Sequence, residues 1–297
     1  SKQALRPQQE ECNMLNLFKI ITLSILSILI LSSKSFAVTA ETVKACGAGT
    51  NLFEGTATAC RFTPQSYKAS VYEMGLCTVN PMAGASLDRS TCTTVFTATD
   101  QTNGSAHDFA LGDVDLAGAS TRPDNGIYKF PYIILNNVFT ITAQFTKGSD
   151  TWFVRKDGSG ACDAVIKNSG SAAQECTSSL VQFGQTAACD GEYLGARFEG
   201  GTLNGYLMRS SDLDKRDGSG EGNAGSCTGV DRLVGVMELD TSLDINPSVM
   251  SFKFTFNVTG YGAQMFTSAA RPNDNANDGG GSGPFSGFFT VTEAPQQ

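Results

Sequence analysis

Histidine is almost missing from this sequence: His107 is the one example in 297 residues. Its scarcity excludes dihistidine metal sites, the His-Glu-x-x-His protease helix and three-histidine zinc sites. A Ser-His-Asp or Cys-His mechanism would have to use His107, and no Gly-x-Ser-x-Gly elbow accompanies it. In the stretch NGSAHDF, beside Asp108 and between turn residues, His107 reads as an exposed loop histidine. Tryptophan is as rare, with Trp152 alone, a thin supply for the exposed aromatic platforms that line many sugar-binding clefts. Phenylalanine is plentiful instead, and it goes to cores more readily than to wet surfaces. Tight C-x₂₋₄-C pairs are lacking, which argues against a cysteine metal cluster. Runs of Lys and Arg are lacking too, and with them the usual footprint for nucleic acid or an anionic membrane. No window past residue 37 carries an apolar stripe of helical period with caps.

One long apolar stretch is present, and it stands near the start. Residues 14–37, MLNLFKIITLSILSILILSSKSFA, combine a short basic opening, an apolar run from Ile20 to Leu31 and a small-residue exit, the pattern of a secretory signal peptide. The run is too short to span a bilayer, and Ser35 and Ala37 place the cut before Val38. Residues 1–13, which precede Met14, are set aside with Cys12 as an upstream extension that is not native. Residues 38–297 carry 17 basic side chains (the chain's 21 less Lys2, Arg6, Lys19 and Lys34) against 27 acidic (29 less Glu10 and Glu11), a net charge of −10. That is a solvated acidic surface.

Eight cysteines remain: Cys46, Cys60, Cys77, Cys92, Cys162, Cys176, Cys189 and Cys227. An even number in an exported chain predicts a disulfide framework, with no metal needed. Four lie before residue 93 and four after residue 161, a grouping that suggests local pairs: Cys46 with Cys60, Cys77 with Cys92, Cys162 with Cys176, Cys189 with Cys227. Spacing by itself leaves the connectivity open.

Period-two alternation sets the fold class. Phe252, Phe254, Phe256 and Val258 alternate with Lys253, Thr255 and Asn257, and Phe139, Ile141, Ala143 and Phe145 with Thr140, Thr142, Gln144 and Thr146, each the signature of a half-buried strand. Shorter strands are predicted at Tyr67 to Met74, Ile127 to Leu135, Thr151 to Arg155, Tyr193 to Phe198, Arg232 to Leu239 and Phe288 to Thr292. Turn clusters such as Asp124-Asn125-Gly126, Asp157-Gly158-Ser159-Gly160 and Asp217-Gly218-Ser219-Gly220 separate them. The expectation is an all-β chain, an antiparallel β-sandwich or jelly-roll-like fold stapled by disulfides. An outer-membrane barrel needs more segments of about ten residues with an apolar outer face. Region 38–297 reads as one large domain or two subdomains dividing near residue 148, and Arg271 to Gly283 as a flexible loop.

For function the sequence supports expectations only. Asp212-x-Asp214-x-x-Asp217 resembles a calcium loop, but its third carboxylate falls one residue late and Asn223 stands where a glutamate is needed. A second acidic turn holds Asp274 and Asp278; calcium is the one cofactor considered, and none is required. Two carboxylates facing each other across a cleft would make a glycoside hydrolase. The signal, with Thr-, Gly- and Asn-rich strands and scattered cystines after it, is similar in composition to bacterial surface and appendage subunits. Three functional classes are compatible with these features. The first is a non-enzymatic structural or adhesive cell-surface protein, a filament or appendage subunit by that likeness, which self-associates or binds other surface proteins through a terminal strand containing Phe285, Phe288, Phe289 and Val291. The second is an extracellular carbohydrate-binding module, and the third a secreted glycoside hydrolase.

Overall fold

A computed structural model describes residues 44–47, 59–112, 114–168, 172–183, 191–198, 200–216, 227–266 and 279–293. Residues 1–36 and 37–297 separate into two units by their contacts. The signal segment, Cys189, Asp217, Asp274 and Asp278 lie outside the described residues, as do the Asp217–Gly220 turn and most of the Arg271–Gly283 stretch.

The described residues contain strands and turns and no helix. In chain order the strands are β1 (Lys44–Ala45), β2 (Ala59–Phe62), β3 (Ser66–Cys77), β4 (Cys92–Ala98), β5 (Ser105–Asp108), β6 (Gly118–Ser120) and β7 (Gly126–Tyr128). Then come β8 (Phe130–Asn136), β9 (Val138–Thr142), β10 (Gln144–Lys147), β11 (Asp150–Lys156), β12 (Cys162–Lys167), β13 (Cys176–Ser179) and β14 (Glu192–Phe198). The last are β15 (Gly201–Met208), β16 (Arg232–Leu239), β17 (Leu243–Ile245), β18 (Val249–Asn257), β19 (Ala263–Phe266), β20 (Gly279–Ser282) and β21 (Ser286–Glu293).

A ten-stranded sheet in the order β13-β9-β3-β8-β16-β15-β14, with β4 and β5 also on β3 and β6 on β4, forms the central layer. It takes strands from both sides of residue 148. The twelve residues of β3 serve two neighbours on each edge, β9 then β8 on one and β5 then β4 on the other. A bulge between Val71 and Glu73 shifts the side-chain phase, so that Tyr67, Ala69 and Val71 and then Met74 and Leu76 share one core while Tyr72 and Cys77 belong to another. This is why strict alternation over 67–74 breaks down partway. Asn137, buried where β8 gives way to β9, donates from Nδ2 to the carbonyls of Leu180 (2.9 Å) and Val230 (3.1 Å), leaving no unpaired amide at that kink.

One face of the central sheet is covered by smaller sheets, β18-β21, β1-β2-β19-β20 and β10-β11-β12, with a shared core of Leu76, Leu135, Phe139, Ile141, Leu207, Val154, Met265, Phe285 and Phe289. The result is a layered, sandwich-like all-β fold. The other face carries Tyr72, Tyr132, Ile134, Tyr206, Met208, Val234 and Val236 beneath Met82 and Leu87. That lid consists of two loops stitched together, Leu87 N–H to the Leu213 carbonyl (3.1 Å) and Lys215 N–H to the Ala85 carbonyl (2.8 Å).

Disulfides join Cys46 to Cys60, Cys77 to Cys92 and Cys162 to Cys176, and Cys227 is also disulfide-bonded. Cys77 and Cys92 are directly opposite in the β3–β4 ladder, while Cys162–Cys176 ties β12 of a covering sheet to β13 of the central one. Such cystines place the chain in an oxidising compartment. No helix among the described residues is long and apolar enough to cross a membrane.

Several expectations change. The antiparallel pattern has an exception, for β1 runs parallel to β2. His107 belongs to β5, opposite Ala69 of β3, rather than to a turn. The glycine stretch read as loop forms β20 at 279–282, with Gly280 and Gly281 buried. A Cβ on Gly280 would come within 2.8 Å of Val154 Cγ1, so the missing side chain lets β20 lie close over β11, a use of strand glycine that resembles linker composition in sequence.

Candidate functional site

A cleft of about 770 Å³ runs along β18. Alternation in β18 sends Phe254 and Phe256 toward the core, and on one edge it pairs with β21 in the register Phe254 to Phe289 and Phe256 to Gly287. Neither β18 nor β21 pairs with a third strand among the described residues. Consecutive residues Lys253, Phe254, Thr255 and Phe256 all line the cleft, and because successive side chains point to opposite faces, the cleft meets the strand edge-on.

The facing wall comes from Met74, Val95 and Phe96 of the central sheet and from the segment containing Phe109, Leu116 and Ser120. Phe109 packs on Phe256 with ring centroids 4.4 Å apart, and Phe254 on Phe289 at 4.9 Å. Strand β6, exposed throughout, pairs with β4 and ends the central sheet beside the opening. Arg122 is pinned by bonds from its guanidinium to the Pro123 carbonyl (3.0 Å), Asn125 Oδ1 (3.0 Å) and the Asn246 carbonyl (2.8 Å). It thus ties the turn before β7 to the turn before β18. The cleft therefore has an aromatic floor and a rim of Arg122, Lys253 and Asp115.

Chemically this site is suited to binding. Asp115 is the one carboxylate among the described lining residues. The single histidine is elsewhere, in β5, and Asp108 beside it accepts from Ser66 Oγ (2.6 Å), the Tyr67 amide (2.8 Å) and the Ala110 amide (3.1 Å), so it anchors a strand start and holds no catalytic imidazole.

The other residues singled out from the sequence lie apart from the cleft. Trp152 is buried, packed on Phe145 with Lys167 Nζ over its ring at 5.3 Å, so it offers no exposed sugar platform. Asp212 accepts two bonds from Nη2 of buried Arg216 (2.8 and 2.6 Å) and one from the Asp214 amide (3.1 Å). Partial burial pushes the Asp212 carboxyl up, but these bonds outweigh it and hold it below the usual carboxylate range. Both of its oxygens thus face Arg216, and Asp214 bridges to Ser86. No group of three or more His, Cys, Asp or Glu among the described residues is placed to hold a metal ion.

The predicted terminal strand is β21. Phe285 and Phe289 are buried and Val291 is half-buried, so the strand is part of its own fold on one edge; for Phe288 only the backbone is described, opposite Thr255. The cleft residues Phe96, Phe109, Leu116 and Arg122 carry no signal in the sequence. They come from strands and loops far apart in the chain, and only the layering brings them together. The chain matches no family model, no curated protein and no solved structure.

Proposed function

We propose that the protein is exported and acts without catalysis as a structural or adhesive protein of the cell surface, associating with further copies of itself through the β18–β21 sheet. The observation that carries this reading is the second edge of β18, which pairs with no strand among the described residues and lies beside an aromatic cleft. An unpaired strand edge presents N–H and C=O groups that an added strand satisfies, and flanking apolar pockets give that strand its specificity. A two-stranded sheet has two unlike edges, so pairing β21 of one copy with β18 of the next is a head-to-tail contact, which builds a ring or a filament rather than a two-fold dimer. The register shift between Val249 and Ser251 confines the straight part of the edge to Ser251 through Asn257.

Light scattering after size exclusion, with negative-stain microscopy, on oxidised residues 38–297 tests this. Rods or regular large assemblies are the expected result, and Ser251→Glu with Thr255→Glu, which charge the open edge, should return monomers of unchanged melting temperature. A wild-type protein that stays monomeric at high concentration would overturn self-association and direct the work to a glycan panel. Deleting the terminal strand is a poor test, because it strips Phe285 and Phe289 from the core.

A further inference from the structure

A second, smaller cavity lies inside the sandwich, away from the β18 cleft, and its floor is made by missing side chains. In the central sheet the ladders align Tyr193 of β14 with Gly205 of β15, Gly205 with Gly235 of β16, and Gly235 with Ile133 of β8. Two glycines therefore stand side by side in central strands that otherwise bury Leu203, Leu207, Leu233 and Met237. A glycine in a strand interior loses packing and costs chain entropy, and it commonly marks a place where something approaches the backbone closely. Here neighbouring side chains reach over the glycines, Phe183 and Leu233 at one and Ile133 and Leu203 at the other. A Cβ on Gly205 would meet Phe183 at 3.3 Å and Leu233 at 3.6 Å, and one on Gly235 would meet Ile133 at 3.3 Å and Leu203 at 3.5 Å, so alanine fits at both with slight adjustment.

Above the pair is a space of about 170 Å³ whose apolar walls include Phe139, Leu180, Phe183 and Phe285. At one end is the Tyr193 ring, its hydroxyl accepting a bond from Arg61 Nη2 at 3.1 Å. Having accepted from Arg61, the hydroxyl retains its own proton to donate. Burial pushes the Tyr193 phenol up against the opposing pull of Arg61, so it is a donor at neutral pH. A large apolar cavity left empty lowers stability, and an engineered one of about 150 Å³ takes up benzene.

We propose that this cavity binds a small amphipathic monocarboxylate of about six to eight carbons, its apolar body over Gly205 and Gly235 and its carboxylate at the Tyr193 hydroxyl beside Arg61. The apolar walls select the body, and the proton donated by the Tyr193 hydroxyl bonds a charged acceptor more strongly than a neutral one. The site is independent of the β18 edge, and each reading stands or falls by its own experiment.

Titration calorimetry on the oxidised protein with octanoate, octanol and acetate tests the assignment. Octanoate is expected to saturate one site and raise the melting temperature, octanol to bind about tenfold more weakly for want of the charged head, and acetate to show no saturation for want of the body. The double variant Gly205→Ala, Gly235→Ala fills the floor and should abolish octanoate binding while melting at or above the wild-type temperature. Tyr193→Phe leaves the cavity intact and should remove most of the preference for octanoate over octanol, a readout that does not depend on the glycine variant folding. No saturable octanoate binding, octanoate binding unchanged in the double alanine variant, or equal affinity for octanoate and octanol in the wild type would each overturn the proposal.

Discussion

The seven tyrosines make alkaline titration a direct probe of the two cores. Tyr67 is fully buried between the rings of Phe139 (5.4 Å) and Phe256 (5.9 Å), and burial pushes its phenol well above the ordinary tyrosine value. Tyr132 lies in the second core with its hydroxyl donating to Glu73 Oε1 at 2.5 Å. Burial first, then the bond to Glu73, raises it to about 12, against smaller opposing effects of Thr94 and Arg89. Tyr206 is raised to about 12 by burial and by the nearby charge of Glu192. An unfolded tyrosine ionises near 10. Below about pH 10 both states hold the proton and the stability is fully present; above it the unfolded chain loses the proton while the folded one keeps it, so stability falls until the folded value is passed. Each such group contributes a slope of about 1.4 kcal/mol per pH unit, and three together about 4 kcal/mol per unit. Over the window from about pH 10 to about 12 the loss reaches about 8 kcal/mol, comparable to the whole stability of an ordinary domain. Urea midpoints measured from about pH 8 to about pH 11, with tyrosinate absorbance tracked in parallel, should show stability collapsing above about pH 10 and part of the tyrosinate signal appearing only on unfolding. Tyr132→Phe should flatten the slope by about 1.4 kcal/mol per pH unit. A folded protein in which all seven tyrosines ionise near the ordinary value with no fall in midpoint would refute the reasoning.

The cystines close loops of sequence separation 14 to 15; by the chain-entropy argument each adds about 3 kcal/mol, so Cys77→Ser with Cys92→Ser should lower the unfolding free energy from urea titration by that amount, and an unchanged value would deny these bonds a structural role. Gly280→Ala puts a methyl 2.8 Å from Val154 Cγ1 and is expected to cost about 1 to 3 kcal/mol, whereas Gly84→Ala, with open space around its Cβ, should be neutral; equal melting temperatures for the two variants would contradict the close approach of β20 to β11. At the acid end, Asp88 is held below its ordinary value by the Ser90 amide, Asp100 by the Asn103 side chain and Asp157 by the Ser159 hydroxyl. Stability from these groups is present above the unfolded carboxylate value of about 3.9 and lost as pH falls through the lower folded values, so a thermal melt that stays flat below about pH 4 would count against the capped turns.

Strands with strict alternation were legible because each decides its facing by itself. The Phe252 run overlaps β18, and the first part of the Phe139 run lies in β9 with alternate residues buried. Elements whose facing depends on a neighbour were not. Strand β15 carries two glycines and an asparagine, and its buried character comes from lying between β14 and β16. Strand β20 reads as linker because its glycines serve a close approach that no local pattern encodes. His107 looked like a turn residue in its own neighbourhood, and only pairing with Ala69 makes it part of a strand.

Composition and local spacing determined the all-β class and the turn at Asp157 to Gly160, since each depends on residues close together in the chain and on backbone preferences that hold in any context. The tertiary structure decided which strand edges are unpaired among the described residues, which phenylalanines floor the cleft, and that Gly205 and Gly235 fall side by side. Those outcomes depend on register and layering between segments as far apart as Met74 and Phe289, and a one-residue change of register would turn every one of these side chains to the opposite face.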